Sequence, residues 1–254
     1  MSHWKGALHD AGSLQTTFTV PPSVTAGHSI GIIAIDLAYP KLPGNVVNAT
    51  TYPFPVLYKK VKFDIELLFN GDDSIREQIV DAALNLQSQG VRAIIGACGY
   101  FAHFQRDVVD AVDVPVYLSS LCQLPIISLG LRKDEKIAVF AASGESVSEE
   151  FLAKVGATPD NLIIQDVGSL ESFAPIRWGK LELDNEALTR DLADISAKLV
   201  QEHPEISAIL LECSDLPPYA YAIQAATGLP VFDFNTLVNW VHSAVVRRPY
   251  TGYF

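Results

Sequence analysis

Val91–Ser120 reads VRAIIGACGYFAHFQRDVVDAVDVPVYLSS, and Ile206–Asn235 reads ISAILLECSDLPPYAYAIQAATGLPVFDFN. At a shift of 115 positions the two align without a gap. Ala93 meets Ala208, Ile94 meets Ile209, Cys98 meets Cys213, Ala111 meets Ala226, Pro115 meets Pro230 and Val116 meets Val231. Each copy runs from a buried apolar strand into a cysteine, then into a helical stretch and a short Pro-Val strand. An internal repeat shapes the whole fold. It predicts two similar lobes, each presenting a thiol from the same structural position.

Working outward, Ser29–Asp36 is a continuous apolar run and reads as a buried strand. Leu37–Pro55 carries Pro40, Pro43, Pro53 and Pro55, and must be a loop. A loop that long in a compact domain is usually functional or disordered. Val56–Phe69 reads as a strand. Ser74–Ser88 has helical spacing behind an Asp72-Asp73-Ser74 cap. Arg92–Ala97 is a strand, Phe101–Val112 a helix, Pro115–Leu118 a strand and Leu121–Leu131 a helix. A second series opens with the strand Lys136–Ala141. It continues with a helix over Ser146–Val155, a strand over Leu162–Val167 and a long helix from Asp184 to Glu202. A strand (Ser207–Leu211), a helix (Pro217–Ala226), a strand (Pro230–Phe234) and a helix (Thr236–Val246) complete it.

Alternating strands and helices predict an α/β fold of two pseudo-symmetric lobes, each a mainly parallel sheet flanked by helices. The expected organisation is an arm at 1–27, a first lobe from 28–131 plus 229–254, and a second lobe at 132–228. Ligands in such sheets bind beyond the carboxyl ends of the strands, where both cysteines stand. The expected active site therefore lies between the lobes.

The chain has 254 residues, 49% of them hydrophobic and 19% charged, which suits a globular protein. The formal net charge is −11, and the basic residues are scattered. No basic stripe of the kind nucleic acid requires is present. No apolar run approaches the ~20 residues of a membrane span, and the N-terminal stretch does not read as a secretory signal. The expectation is a cytoplasmic protein acting on a small molecule. Three cysteines and six dispersed histidines suit neither a disulfide framework nor a zinc site. No metal and no cofactor is expected.

Free cysteine is often a small buried hydrophobe, and Cys122 within LCQLPIISL takes that reading. Cys98 and Cys213 differ because they share a strand-to-helix junction. A helix N-terminus there is expected to lower each thiol pKa from ~8.5. One thiolate and one thiol facing a cleft then form a general base and a general acid.

The motifs IIGACGY and LLECSDLPPY, their spacing and the proline-rich loop after the first strand resemble the aspartate/glutamate/hydantoin racemase superfamily. The resemblance covers most of residues 28–246. It implies an active site between two lobes, no pyridoxal phosphate, and Cys98 and Cys213 on opposite faces of the substrate's α-carbon. It also implies a homo-oligomer. Amino-acid racemases of the family usually follow the first cysteine with Asn-Thr, where this chain has Gly99-Tyr100. Glutamate racemases follow the second with Thr-His, where it has Ser214-Asp215.

The expected activity is a racemase or epimerase inverting a centre α to a carboxylate or carbonyl, in an amino acid such as aspartate or glutamate, or in a hydantoin. The alternatives are a cis–trans isomerase or decarboxylase of the same superfamily, or a non-catalytic binding protein. The carbanion needs preorganised donors. Backbone N–H groups of Gly99, Tyr100, Ser214 and Asp215 are candidates, with the hydroxyls of Ser119, Ser120, Ser214 and Tyr39. Gly99 reads equally as a turn glycine, and Ser119-Ser120 as loop serines. Pro43, Gly44 and Asn45 form either a carboxylate-holding turn or an ordinary one. Asp36 is placed to bind an ammonium or to cap its strand. Asp233 ends the last strand near the site. His103 reads chiefly as a packed residue.

Overall fold

The computed structural model describes residues 24–247 and Tyr250. Of the expected arm, residues 1–23 lie outside that range, and 24–27 carry no helix or strand. The first lobe begins with β1 (Ile30–Ile35) and β2 (Val56–Val61), followed by α1 (Ile65–Phe69) and α2 (Arg76–Ser88). β3 (Ala93–Gly96), α3 (Gln105–Ala111), β4 (Val116–Tyr117) and α4 (Leu124–Leu129) complete it. The second lobe holds β5 (Lys136–Ala141), α5 (Glu149–Ala153), β6 (Leu162–Asp166), α6 (Ala174–Arg177) and α7 (Asn185–Glu202). It continues through β7 (Ile206–Leu211), α8 (Ala220–Thr227) and β8 (Val231–Phe232), and the described helices end with α9 (Phe234–Val245).

Both sheets are four-stranded and every pairing is parallel, in the orders β2-β1-β3-β4 and β6-β5-β7-β8. The repeat is exact in register. Ile94 pairs with Val116 and Ile209 with Val231, so both partners shift by the same 115 positions. Apolar residues on both faces of β1, β3, β5 and β7 are buried, as sheets covered on two sides require. One core cluster runs through both lobes, and a second lies between β1, β3 and α9.

α9 follows the last strand of the second sheet yet packs on the first. The expected return to the first lobe at residue 229 therefore moves to Asp233, because Val231 and Phe232 still pair with β7. Asp233 starts α9 as a capping box, its carboxylate accepting from Thr236 N at 2.8 Å. Asp233 does not line the cavity between the central strand ends.

Two corrections concern short helices. The strand expected over Val56–Phe69 ends at Val61. Asp64 then caps α1 by accepting the Glu66 N–H at 3.1 Å, and Leu68 and Phe69 turn inward. The unassigned stretch after β6 contains a 3₁₀ turn at Glu171–Phe173 running into α6. Leu37–Pro55 is, as expected, without helix or strand. It is pinned by successive turns and by buried Val46 and Tyr52.

Candidate active site

The carboxyl ends of the four central strands meet at one cavity of about 50 Å³. Ile35 comes from β1, Ala97 and Cys98 follow β3, Ala142 follows β5, and Cys213 to Asp215 follow β7. Tyr39 and Lys41 reach in from the proline-rich loop. Ile65 and Phe69 of α1, with Phe173, Ile176 and Arg177 at α6, cover it from the two lobes.

Each sulfur accepts the backbone N–H two residues on, Tyr100 for Cys98 and Asp215 for Cys213. Two of the expected backbone donors are thus directed at the thiols. The expected lowering of the thiol pKa is not found. Both thiols are pushed well above the ordinary value, first by burial and then by carboxyl groups, Glu212 for Cys98 and Asp215 for Cys213. A fully desolvated anion costs more than a short 3₁₀ turn returns.

The side chains after each cysteine clasp the opposite lobe. Tyr100 donates its hydroxyl to Ser143 O at 2.6 Å and accepts from Ser143 N at 3.0 Å. Asp215 accepts from Asn45 Nδ2, from the Tyr39 hydroxyl and from Cys213 Sγ, the last at 3.5 Å. Ser214 Oγ donates to Ala97 O at 2.9 Å. Burial raises the Asp215 pKa, and raises that of Tyr39 far above the phenol range.

Of the candidates, Cys98, Cys213, Tyr39, Ser214 and Asp215 line the cavity. Asn45 lies behind it and fixes Asp215. Gly99 and Tyr100 are buried beside Cys98 but do not line it. Ser119 Oγ accepts from Leu121 N at 3.2 Å, and Ser120 Oγ donates to Leu211 O at 2.9 Å, so both serve the backbone. The Pro43-Gly44-Asn45 turn holds no free carboxylate cradle. Pro43 is exposed, the Gly44 N–H goes to Thr51 Oγ1, and the Asn45 N–H goes to Leu42 O. Asp36 pairs with Lys60 at 3.2 Å on the surface and does not line the cavity. His103 packs against Phe151 and lies 3.3 Å from Phe69 O.

Sequence reasoning missed Glu212 and Arg177. Glu212 is wholly buried, and its Oε2 accepts from Ala142 N at 3.2 Å. Its Oε1 has no partner and lies against Gly99, where a Cβ would stand 1.8 Å away. Burial raises its pKa to about 8. The signal was a carboxylate closing the apolar run ILLE before Cys213. Arg177 had no such signal, since it sits in an unassigned stretch. Among the described residues no group of three or more His, Cys, Asp or Glu side chains is arranged to hold a metal ion. No described helix is long and apolar enough to cross a membrane.

The fold is shared with arylmalonate decarboxylase and with aspartate and glutamate racemases of known structure. Unliganded arylmalonate decarboxylase superposes with a TM-score of 0.58 at 19% identity, over 87% of this chain and 94% of that one. Picrophilus torridus aspartate racemase gives 0.56 at 16%, over 88% and 96%. A glutamate racemase from Bacillus anthracis gives 0.55 at 16%, over 85% and 82%. No family model matches the chain. Curated relatives are nearer in sequence. Dimethylsulfoniopropionate lyase 3 of Emiliania huxleyi (strain CCMP1516) is 36% identical over 235 residues, covering 88% of this chain and 61% of that protein. The dimethylsulfoniopropionate lyase of Durusdinium sp. clade D is 35% identical over 233 residues, covering 88% and 77%. The chain belongs to the dimethylsulfoniopropionate lyase family, and spans about three fifths of the length of the Emiliania relative.

Proposed function

We propose that this protein is a lyase acting on dimethylsulfoniopropionate by β-elimination. A thiolate takes a proton from the carbon next to the carboxylate. The C–H electron pair becomes the new C=C bond, and the C–S bond breaks with its pair leaving on sulfur. Dimethyl sulfide and acrylate result, and the abstracted proton remains on the thiol until solvent takes it.

The observation that carries this reading is the Asp215 carboxyl 3.5 Å from the Cys213 sulfur within the cavity. Burial first, and the neighbouring carboxyl groups second, disfavour a thiolate at Cys213. A sulfonium is a fixed positive charge, and its arrival beside these groups favours the thiolate. Having no N–H to donate, it suits carboxylates and aromatic walls such as Phe69 and Phe173. Family membership supports the same substrate.

Racemisation by paired thiols is the second reading, favoured by the matched positions of Cys98 and Cys213. It shares the first step, removal of an α-proton. The two readings separate in one experiment. The protein is incubated in D2O with dimethylsulfoniopropionate, aspartate, glutamate and 5-substituted hydantoins, and followed by proton NMR and headspace gas chromatography. Acrylate with dimethyl sulfide supports the lyase. Loss of the α-proton signal with inversion of an amino acid or hydantoin, and no acrylate, overturns it in favour of a racemase.

A further inference from the structure

We infer that Arg177 is the residue that binds the substrate's carboxylate, and that Glu66 holds its place when the cavity is empty. This rests on the lyase reading above. Two lining residues carry a positive charge, Lys41 and Arg177. The Lys41 charge is already matched by the Asp215 and Asp36 carboxyl groups, and its ammonium donates to Leu37 O at 2.6 Å and lies 3.5 Å from the centre of the Tyr39 ring. Arg177 is not fully engaged. Its Nη1 donates to Ala142 O at 3.1 Å, and its Nη2 reaches Glu66 only at 3.4 Å. Its Nε is buried and has no partner.

An unpaired buried N–H on a guanidinium marks a place where an acceptor is missing. Nε with one Nη forms a planar fork that matches the two oxygens of a carboxylate. The guanidinium carbon lies 5.2 Å from the ring centres of both Phe69 and Trp178. Gly168 keeps its seat open. A Cβ there would stand 1.9 Å from Ala142 O and 3.0 Å from Arg177 Nη1.

Location agrees with chemistry. Arg177 and Phe69 line the inner cavity and also the outer cleft between the lobes. An anion entering from that cleft meets the guanidinium before it meets the thiols. Glu66 belongs to the first lobe and Arg177 to the second. The Glu66 side chain is 44% exposed, so a substrate carboxylate can displace it into water at small cost. Once bound, the same guanidinium lies beside the oxygens that gain charge as the α-proton leaves.

The test uses steady-state kinetics with dimethylsulfoniopropionate, and calorimetry with propionate as the probe of carboxylate binding. Arg177→Gln is expected to raise KM about 10–100-fold, the scale of a lost charge-assisted pair, and to abolish propionate binding. Arg177→Lys is expected to fall between, and carries the test if Arg177→Gln does not fold by circular dichroism. Glu66→Gln is expected to give a KM at or below wild type, because the competing carboxylate is gone. A KM within twofold of wild type in the Arg177 variants overturns the inference. So does a Glu66→Gln variant with KM raised as far as in Arg177→Gln, which would make the pair a tie between lobes. If the wild type eliminates nothing but binds propionate through Arg177, the lyase reading fails while the carboxylate site stands. Absence of propionate binding to wild type overturns the site itself.

Discussion

Tyr100 and Asp215 occupy equivalent positions in the repeat, two residues after the two cysteines, and each bonds the loop that follows the first strand of the opposite lobe. Tyr100 reaches Ser143 after β5, and Asp215 reaches Tyr39 and Asn45 after β1. The geometry is symmetric and the chemistry is not, a phenol in one half and a carboxyl in the other.

That asymmetry predicts different failures. Tyr100→Phe removes a bridge that satisfies the Ser143 backbone and is expected to cost about 1–2 kcal/mol of stability. Asp215→Asn keeps much of the shape and is expected to lower turnover far more than it lowers the melting temperature. Thermal melts beside kcat measurements check both, and an Asp215→Asn variant of unchanged kcat would contradict the role given to that carboxyl.

Changing Cys213, the thiol beside Asp215, to serine is expected to cut turnover by about 10²–10⁴-fold, the usual share of a positioned base, whereas an equal loss on changing Cys98 is what paired-thiol racemisation requires. Cys122→Ser is expected to stay within about twofold. Its thiol sits 3.8 Å from Gln105 Oε1, outside the cavity lining.

In the ligand-free protein both thiols titrate above the ordinary cysteine range. Their alkylation by iodoacetamide, followed by mass spectrometry, should keep accelerating beyond pH 9. Glu212→Gln should shift the Cys98 profile to lower pH, since Glu212 is the main charge opposing that thiolate. An unchanged Cys98 profile would count against this coupling.

Glu212 also makes stability depend on pH. Its pKa is raised from 4.5 to about 8 in the fold, so the native state holds a proton that the unfolded chain has released. Stability from this group falls as pH rises from 4.5 through 8. Glu212→Gln should therefore raise the melting temperature more at pH 9 than at pH 5. The gain is bounded at a few kcal/mol, each tenfold change in proton affinity being worth about 1.4 kcal/mol.

Gly99→Ala drives a methyl group into the Glu212 carboxyl and is expected to destabilise the protein by about 1–3 kcal/mol. Adding Glu212→Ala should recover part of that loss. Additive effects in a double-mutant cycle would refute the contact.

Much of this was legible in the chain. The repeat foretold two lobes, because identical strand–Cys–helix spacing folds into identical units. The Asp184 cap, accepting Ala187 N–H at 2.9 Å, and the left-handed Gly228 closing α8 were readable as helix punctuation. The short helices α1 and α6 were not. At five and four residues they show too little periodicity to separate from a strand or a loop. They are stabilised by packing over the site, which no local pattern records.

The sequence by itself determined the two-lobed α/β architecture and the pair of matched thiols, since both follow from local pattern and its repetition. Only the tertiary structure decided what surrounds those thiols. It sent Asp36 to the surface with Lys60, closed the Pro43-Gly44-Asn45 turn on itself, brought Asp215 and Arg177 to the cavity, and buried Glu212 beside the thiols. The physical reason is that a side chain's charge and proton affinity depend on burial and on neighbours distant in sequence. Asn45 and Asp215 lie 170 positions apart, and Glu66 and Arg177 lie 111 apart.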